Sequence, residues 1–303
     1  RDFIGLDRIY RESGKMKIKR IGNAVVRLIK AQDLIDIGLG LGKKYPDFVL
    51  CDNPNCADCV QQRATLFKER IKNTEYFTLS ASMRLAGRYV PEAVDNLAAA
   101  GISHIELDFI NKKPAAILKT ENIISAVNEF KNSGIDVSGM RLFFIPDSFN
   151  GMISEPEIIN AIKRLIIPVS ESDAFTIEAR KSGWKVEFFN QNHTALNVAA
   201  RLKKLDGKLV FNPANFAAVG ENPFLKSYNA GRFIKTISAL DIVDGLFDGT
   251  PTALAHGNAE IKELVSIIRC RSFTGIFTLG GGSLFPGNLM DASKQFENIL
   301  DSI

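Results

Sequence analysis

From residue 76 onward the chain alternates short apolar segments with longer amphipathic ones. This alternation is typical of βα units, which build a parallel sheet. We predict eight strands in this part of the chain. They are Tyr76–Ala81, His104–Phe109, Met140–Ile145, Arg164–Val169, Lys185–Phe189, Lys208–Phe211, Leu240–Val243 and Thr274–Leu279.

Each predicted strand is followed by a segment with apolar residues at helical spacing. The predicted helices are Pro91–Ala100, Thr120–Asn132, Glu155–Ile162, Ser172–Lys181, Thr194–Lys204, Pro223–Thr236, Asn258–Arg269 and Met290–Ser302. Eight strands that each precede a helix predict an α/β fold, a (β/α)8 TIM barrel. The fourth strand contains Pro168, and an open sheet is the alternative if that strand does not form.

Residues 1–75 do not follow this pattern. Apolar residues recur at helical spacing from Ile21 to Leu41, and Asp58 is placed to cap a second helix that starts at Cys59. We therefore predict two domains. A small, mostly helical N-terminal module occupies residues 1–75, and the TIM barrel occupies residues 76–303.

The predicted N-terminal module also differs from the barrel in charge. Residues 1–75 contain 15 Lys/Arg and 10 Asp/Glu, a net charge of +5, whereas the remainder contains 23 and 24, a net charge of −1. A protein partner or a second copy of the chain could bind the basic module, although a solvated basic face is the commoner explanation. The slightly negative barrel argues against a nucleic-acid partner.

Hydropathy and the N-terminus bear on localisation. No uninterrupted apolar run approaches the length of a membrane span, and the N-terminus lacks the pattern of a signal peptide. We expect a cytoplasmic protein without a membrane partner.

Three of the four cysteines lie within nine residues, and Cys270 is distant. Cys51, Cys56 and Cys59 have the spacing C-x4-C-x2-C, which suits three of the four ligands of a structural zinc. The same spacing is shared with the first three ligands of plant-type ferredoxin clusters. We predict that these three cysteines bind zinc or an iron–sulfur cluster, with a cysteine-rich surface turn as the alternative. A secreted disulfide scaffold would spread its cysteines more evenly.

In a TIM barrel the active site lies at the C-terminal ends of the strands, where the βα loops converge. Polar or glycine residues mark most of the predicted strand ends: Ser80, Ser82, Arg84, Asp108, Asp147, Ser148, Glu187, Asn190, Asn192, His193, Asn212, Asn215, Asp241, Asp244, Asp248, Gly280, Gly281, Gly282 and Ser283. The run from Gly280 to Gly282 would let backbone N–H groups approach a phosphate closely, although a flexible turn is the commoner explanation.

A more specific pattern surrounds the sixth predicted strand. It reads Phe211-Asn212-Pro213-Ala214-Asn215-Phe216, followed by Gly220-Glu221-Asn222-Pro223 and a predicted helix. The pattern resembles the xylose isomerase-like TIM barrels, the sugar isomerase and epimerase superfamily. The resemblance implies a barrel that acts on a small polyhydroxylated ligand.

Members of that family typically hold one divalent metal on side chains of strands 5 to 8. The resemblance implies that Glu187 on strand 5 matches the family's usual Glu. The other three positions differ: Asn212 lies where Asp is usual, Asp241 where His is usual and Gly280 where Glu is usual. Because Mg²⁺ and Mn²⁺ prefer anionic oxygen ligands, these changes argue against a divalent metal in the barrel.

We therefore predict a sugar isomerase- or epimerase-like barrel that acts on or binds a small polyhydroxylated ligand, phosphorylated if the glycine run binds phosphate. The candidate catalytic residues are Glu187, Asp241, Asp108 and His193, and the candidate ligand-binding residues are Asn212, Asn215, Asp244, Gly280, Gly281 and Gly282. Two alternatives stay open. One is a non-catalytic binding or scaffold barrel, and the other is an enzyme that uses an iron–sulfur cluster at the cysteine loop.

Overall fold

A computed structural model describes residues 77–146, 153–171, 173–223, 233, 235–270, 273–282 and 284–303. Eight parallel strands close into a barrel in which β8 pairs with β1. The strands are β1 (Thr78–Ser82), β2 (His104–Leu107), β3 (Asp136–Arg141), β4 (Arg164–Pro168), β5 (Lys185–Phe189), β6 (Lys208–Phe211), β7 (Ile237–Ile242) and β8 (Ile276–Leu279). The predicted (β/α)8 barrel is confirmed, and so is its fourth strand.

Helices follow the strands. They are α1 (Met83–Ala86), α2 (Val90–Ala99), α3 (Thr120–Asn132), α4 (Pro156–Ile162), α5 (Asp173–Lys181), α6 (Ala195–Leu205), α7 (Pro213–Ala218), α8 (Ile261–Cys270) and α9 (Leu289–Ser302). A short 3₁₀ helix spans Ala115–Ile117. Local sequence fixes several starts: Thr194 caps α6, and Asn288 with Asp291 forms a capping box at α9.

Two pairs of short antiparallel strands lie in loops that follow the barrel strands. Phe109–Ile110 pairs with Lys113–Pro114 after β2, and Asp244–Gly245 pairs with Pro251–Thr252 after β7. Both pairs follow the C-terminal end of a barrel strand, so they add ordered backbone at the mouth of the barrel.

The third strand lies four residues earlier than predicted. It spans Asp136–Arg141, whereas the apolar run predicted as a strand, Met140–Ile145, mostly follows it. The prediction failed because this strand turns polar side chains into the barrel: Ser138 bonds Ser80, and Arg141 bonds Glu106. Strand β7 likewise begins at Ile237, three residues before the predicted start.

The main core lies between the strands and the surrounding helices. Alternate strand residues such as Leu165, Phe188 and Leu240 pack there against helix residues, because successive side chains of a strand point to opposite faces. A second and much smaller apolar cluster consists of Ile166, Phe189, Val210 and Ala239. Polar and charged side chains, rather than further apolar layers, occupy much of the space around that second cluster.

Some predictions fall on residues that are not described. The N-terminal module, the domain boundary at residue 75 and the cysteine loop all lie outside the described residues. So do Asp147, Ser148 and most of the helix predicted at Pro223–Thr236. Among the described residues, no helix is long and apolar enough to cross a membrane.

Candidate ligand site at the mouth of the barrel

A cavity of about 390 Å³ opens at the C-terminal ends of the strands. The loops after β1, β2, β3, β6, β7 and β8 all contribute to its wall. Representative lining residues, one from each loop, are Arg84, Phe109, Phe143, Asn215, Asp244 and Gly282. Its position matches the place where TIM barrels bind their ligands.

Arg84 supplies a positive charge in the wall of this cavity. It lies in α1, a short helix that starts because Ser82 at the end of β1 caps it. The guanidinium carbon lies 4.5 Å from the ring centroid of Phe109 and 4.7 Å from that of Phe143. Contact with two aromatic rings orients a planar guanidinium and stabilises its charge. The side chain nevertheless stays 29% exposed.

Asp108 lies directly beside Arg84 and is almost fully buried. Its Oδ1 accepts hydrogen bonds from the backbone N–H groups of Arg84 and Phe109, at 3.1 and 3.0 Å. Its Oδ2 lies 3.4 Å from Arg84 Nε, and neither of these two atoms has a hydrogen-bond partner among the described residues. Burial raises the pKa of Asp108 to about 6, against the opposing attraction of Arg84.

Asp241, predicted as a catalytic residue, is bound by a guanidinium inside the barrel. Arg141 Nη2 and Nη1 donate to its two carboxylate oxygens at 2.7 and 2.9 Å, and Arg141 Nε donates to Glu106 at 2.6 Å. All three side chains are fully buried. Burial raises the pKa of Asp241 to about 6 against the attraction of Arg141. Burial acts to lower the pKa of Arg141, but the two carboxylates outweigh it and raise that pKa.

The side-chain amide of Asn212 makes hydrogen bonds that the carboxylate of an aspartate could not make. Its Nδ2 donates to Asp241 at 2.9 Å and to the carbonyl of Gly281 at 3.0 Å. Its Oδ1 accepts the N–H of Asn215 and so caps α7. An aspartate here would lose both donors and would place a second carboxylate against Asp241.

Asn215 lies at the cavity wall and is partly exposed. Its Nδ2 donates to the carbonyl of Asn190 at 2.5 Å, while the Asn190 side chain bonds both the N–H and the carbonyl of Asn212. These bonds hold Asn215 with its amide at the edge of the cavity.

The glycine loop after β8 packs onto the same buried polar group. A Cβ on Gly282 would lie 2.5 Å from Arg141 Nη1 and 2.7 Å from Asn212 Nδ2, and its φ is +70°. The N–H groups of Gly280 and Gly281 bond the carbonyls of Ile242 and Thr278. Close packing therefore explains these glycines, and two of the N–H groups predicted to cradle phosphate are used within the fold.

Glu187 is not brought next to Asp241. Its Oε2 accepts from Arg164 Nε at 2.7 Å and from Ser238 at 2.8 Å, and its Oε1 lies 2.8 Å from Lys185. It pairs in register with Lys208, the first residue of β6, so it lies towards the N-terminal end of the neighbouring strand.

A chain of ion pairs connects the two carboxylates through the barrel. It runs from Glu187 to Arg164, then to Glu106 at 3.6 Å, then to Arg141 and Asp241. Burial acts to raise the pKa of Glu187, but Arg164 and Lys185 outweigh it and hold that pKa below its ordinary value. Glu187 thus remains ionised at neutral pH and neutralises the cations around it.

The remaining predicted residues are Asp244 and His193. Asp244 lines the cavity, but its carboxylate accepts the backbone N–H groups of Gly245, Gly257 and Ala259 at 2.8 to 3.1 Å. It therefore anchors the loop after β7. His193 is partly exposed in the loop after β5 and is not part of the cavity wall.

The family's metal does not fit the groups that occupy this position. Both oxygens of Asp241 already bind cationic or amide N–H donors, Asn212 points N–H groups at it, and the Gly282 backbone closes over it. Within the described ranges no three His, Cys, Asp or Glu side chains are grouped as metal ligands. The predicted cysteine site lies outside those ranges.

Sequence reasoning missed the partners that define the site. Arg84 was recognised as a strand-end residue, but its aromatic neighbours Phe109 and Phe143 were not, because they come from different loops. Arg141 was placed inside a predicted strand with no role. A lone arginine in an apolar strand is itself a signal, since a buried charge requires a partner.

The chain thus forms a (β/α)8 barrel with a cavity at the C-terminal ends of its strands. No protein-family model matches the sequence, and no curated protein matches it. Among solved structures, the neighbours include xylose isomerase-like TIM-barrel proteins, at identities that establish the fold alone.

Three of these neighbours illustrate the likeness. A D-tagatose 3-epimerase-like protein has a TM-score of 0.56 at 12% identity, over 74% of this chain and 96% of that one. A xylose isomerase domain protein from Planctomyces limnophilus has a TM-score of 0.54 at 13% identity, over 75% and 95%. A xylose isomerase-like TIM barrel protein from Mycobacterium smegmatis, in complex with magnesium, has a TM-score of 0.52 at 13% identity, over 75% and 97%.

Proposed function

We propose that this barrel binds a small polyhydroxylated ligand in the mouth cavity, and that no divalent metal on the β5 to β8 side chains takes part. The observation that carries the proposal is the Arg141–Asp241 ion pair beside an open cavity. A guanidinium supplies the positive charge that a metal supplies in the family that the sequence resembles. The cavity above it stays available for a ligand.

The chemistry of the wall supports a ligand of this class. Phe109 and Phe143 offer apolar ring surface, and the Asn215 amide offers hydrogen-bonding groups beside them. Sugars and polyols present both C–H faces and hydroxyl groups, so they match such a mixed surface. A xylose isomerase domain protein and a D-tagatose 3-epimerase-like protein are among the structural neighbours, and they agree with that class.

A thermal-shift screen of pentoses, hexoses and polyols, each with EDTA or with Mg²⁺ and Mn²⁺, tests this proposal. A bound ligand raises the melting temperature by mass action. We expect at least one compound to stabilise the protein equally in EDTA and in metal. Stabilisation that disappears in EDTA would contradict the metal-free part of the proposal.

A variant that fills the cavity provides the matched comparison. Ala218 is exposed and lines the cavity, so Ala218→Trp should block the ligand without disturbing the core. Ala98→Trp changes an exposed alanine on α2 in the same way and is not in the cavity wall. Ligand stabilisation that survives Ala218→Trp would place the ligand elsewhere.

A second candidate function is isomerase or epimerase chemistry by proton transfer at the same cavity. Asp108 favours it, because its pKa of about 6 lies near neutrality and its buried Oδ2, 3.4 Å from Arg84 Nε, has no hydrogen-bond partner among the described residues. Asp108 is outside the cavity wall, so Arg84 would have to turn aside for this oxygen to meet a ligand. A base that removes and returns a proton at carbon exchanges it with solvent. Incorporation of deuterium from D₂O into a bound sugar, lost in Asp108→Asn, is the expected result. Binding without exchange would leave the non-catalytic barrel as the better account.

Two further proposals concern the N-terminal module. We propose that Cys51, Cys56 and Cys59 bind zinc or an iron–sulfur cluster, on the strength of their C-x4-C-x2-C spacing. Anaerobic purification with metal and sulfide analysis distinguishes the two, and Cys51→Ser should release the bound metal. We also propose that the net charge of +5 in residues 1–75 favours a protein partner or self-association. Sedimentation at low and high salt tests that association.

A further inference from the structure

We propose that Arg84 is an anion-binding residue, which takes the carboxylate or phosphate group of the ligand in the mouth cavity. The inference rests on the proposed ligand site and narrows its ligand to an acidic polyhydroxylated compound. It places the anion at the loop after β1 and not at the glycine loop after β8.

The geometry of Arg84 carries the argument. The guanidinium lies against Phe109 and Phe143, which fixes its plane at the cavity wall. No hydrogen bond joins its two terminal nitrogens to another described residue, whereas Nε is buried 3.4 Å from Asp108 Oδ2. A guanidinium whose plane is fixed and whose terminal N–H groups are unbonded presents two parallel donors, and these match the spacing of carboxylate and phosphate oxygens.

The charges around the cavity agree with an anionic ligand. Asp244, the other charged residue in the wall, turns its carboxylate towards backbone N–H groups of its own loop. The glycine loop packs against Asp241, and two of its N–H groups bond carbonyls within the fold. Among the described residues that line the cavity, Arg84 is therefore the cation that can meet a ligand.

Asp108 positions Arg84 but does not use all the hydrogen-bond donors of its guanidinium. Its Oδ1 accepts the backbone N–H of Arg84, and its Oδ2 lies 3.4 Å from Arg84 Nε. Because the backbone bond does not involve the Arg84 side chain, replacing that side chain leaves this anchor intact. Arg84 substitutions are thus expected to change the cavity while the loop stays in place.

The test measures the affinities of gluconate, glucose 6-phosphate, neutral sorbitol and inorganic phosphate by calorimetry, for the full chain and for Arg84→Gln. Charge-assisted hydrogen bonds predict that an acidic compound binds about tenfold to a hundredfold more tightly than sorbitol, and that Arg84→Gln removes this difference. Comparing the affinity of gluconate with that of glucose 6-phosphate distinguishes a carboxylate ligand from a phosphate ligand. Arg84→Lys should restore part of the difference, since it keeps the charge but not the fork.

Arg88→Gln is the matched control, because it removes the same charge from an exposed neighbour outside the cavity wall. Equal affinity for acidic and neutral compounds, or a preference that Arg84→Gln leaves unchanged, would overturn the inference while the proposed ligand site stands. Binding of inorganic phosphate that depends on Arg84, with neither gluconate, glucose 6-phosphate nor sorbitol bound, would support anion binding by Arg84 and overturn the polyhydroxylated ligand of the proposed function. No binding of any of these compounds would overturn both.

Discussion

The guanidinium of Arg141 binds both carboxylate oxygens of Asp241 inside the barrel, at 2.7 and 2.9 Å. Neither side chain is accessible to solvent. A buried pair of this kind is strongly coupled, because removal of one partner leaves an uncompensated charge in a medium of low polarity. Loss of either partner should therefore destabilise the barrel.

Replacing Arg141 by methionine should destabilise the fold by about 3–5 kcal/mol, because Asp241 and Glu106 would lose their cation. Urea unfolding followed by circular dichroism measures the change. Arg180→Met is the control, since Arg180 lies at the surface, donates hydrogen bonds to two backbone carbonyls and lies 5.9 Å from the ring centroid of Phe188. It balances no buried carboxylate, so its loss should cost about 1 kcal/mol or less. An Arg141→Met protein as stable as the parent would show that the ion pair is dispensable.

Gly282 is expected to tolerate no side chain. Gly282→Ala combines a φ of +70° with a Cβ only 2.5 Å from Arg141 Nη1, so we expect a loss above about 2 kcal/mol. Gly101→Ala is the matched control, because its φ is +66° but nothing lies within 4 Å of the added Cβ. Its cost should stay near the 1–2 kcal/mol of the backbone strain alone. Equal losses in the two variants would mean that the glycine loop moves aside easily.

The fold was predictable because the outward faces of the strands remain apolar. Residues such as Phe188 and Leu209 follow the ordinary pattern of buried strands, and they revealed β5 and β6 at their correct bounds. Strand β3 was misplaced because its inward side chains, Ser138 and Arg141, are polar. An apolar run that directly follows a polar strand is easily mistaken for the strand itself.

The site was predictable only in part. Asp108 was recognised from its place at the end of a predicted strand and Asn215 from its place after one. Asn215 lines the mouth cavity, and Asp108 contacts Arg84 in its wall. The sequence does not reveal the level of the barrel at which an inward residue lies, so Glu187 was grouped with Asp241 although a chain of ion pairs separates them. Nor does it show that Phe109 and Phe143 converge on Arg84, since they belong to different loops.

Asp108 should make stability depend on pH in a defined direction. Its pKa is about 6 when folded against 3.8 as the reference, so the folded protein holds this proton more tightly. The resulting stabilisation is fully present below about pH 4 and is lost as pH rises through about 6, a change of roughly 1–3 kcal/mol. Asp241 contributes with the same sign, and Glu187 with the opposite one.

Comparing the parent with Asp108→Asn separates the contribution of Asp108 to the pH dependence of stability from those of Asp241 and Glu187. The charged groups that act on Asp108 are Arg84 from the loop after β1, Glu106 on β2 and Arg141 on β3. We expect the stability of Asp108→Asn relative to the parent to increase between pH 4 and pH 7, measured by urea unfolding at each pH. A difference that stays constant over this range would mean that the Asp108 pKa is not raised.

Glu187→Gln tests whether Glu187 is structural or catalytic. Its carboxylate balances Arg164, so we expect the variant to lose about 2–4 kcal/mol of stability above pH 5. Because the folded pKa of Glu187 is lowered, this contribution is present above the ordinary pKa and disappears as pH falls through the folded value. Lys185→Gln is the control, since its exposed ammonium should contribute less than about 1 kcal/mol.

Ligand affinity at the mouth cavity should be the same in Glu187→Gln as in the parent, provided that both are measured below their melting temperatures. A variant that keeps its stability but loses ligand binding or turnover would instead place Glu187 in the chemistry, as the resemblance to sugar isomerases implies.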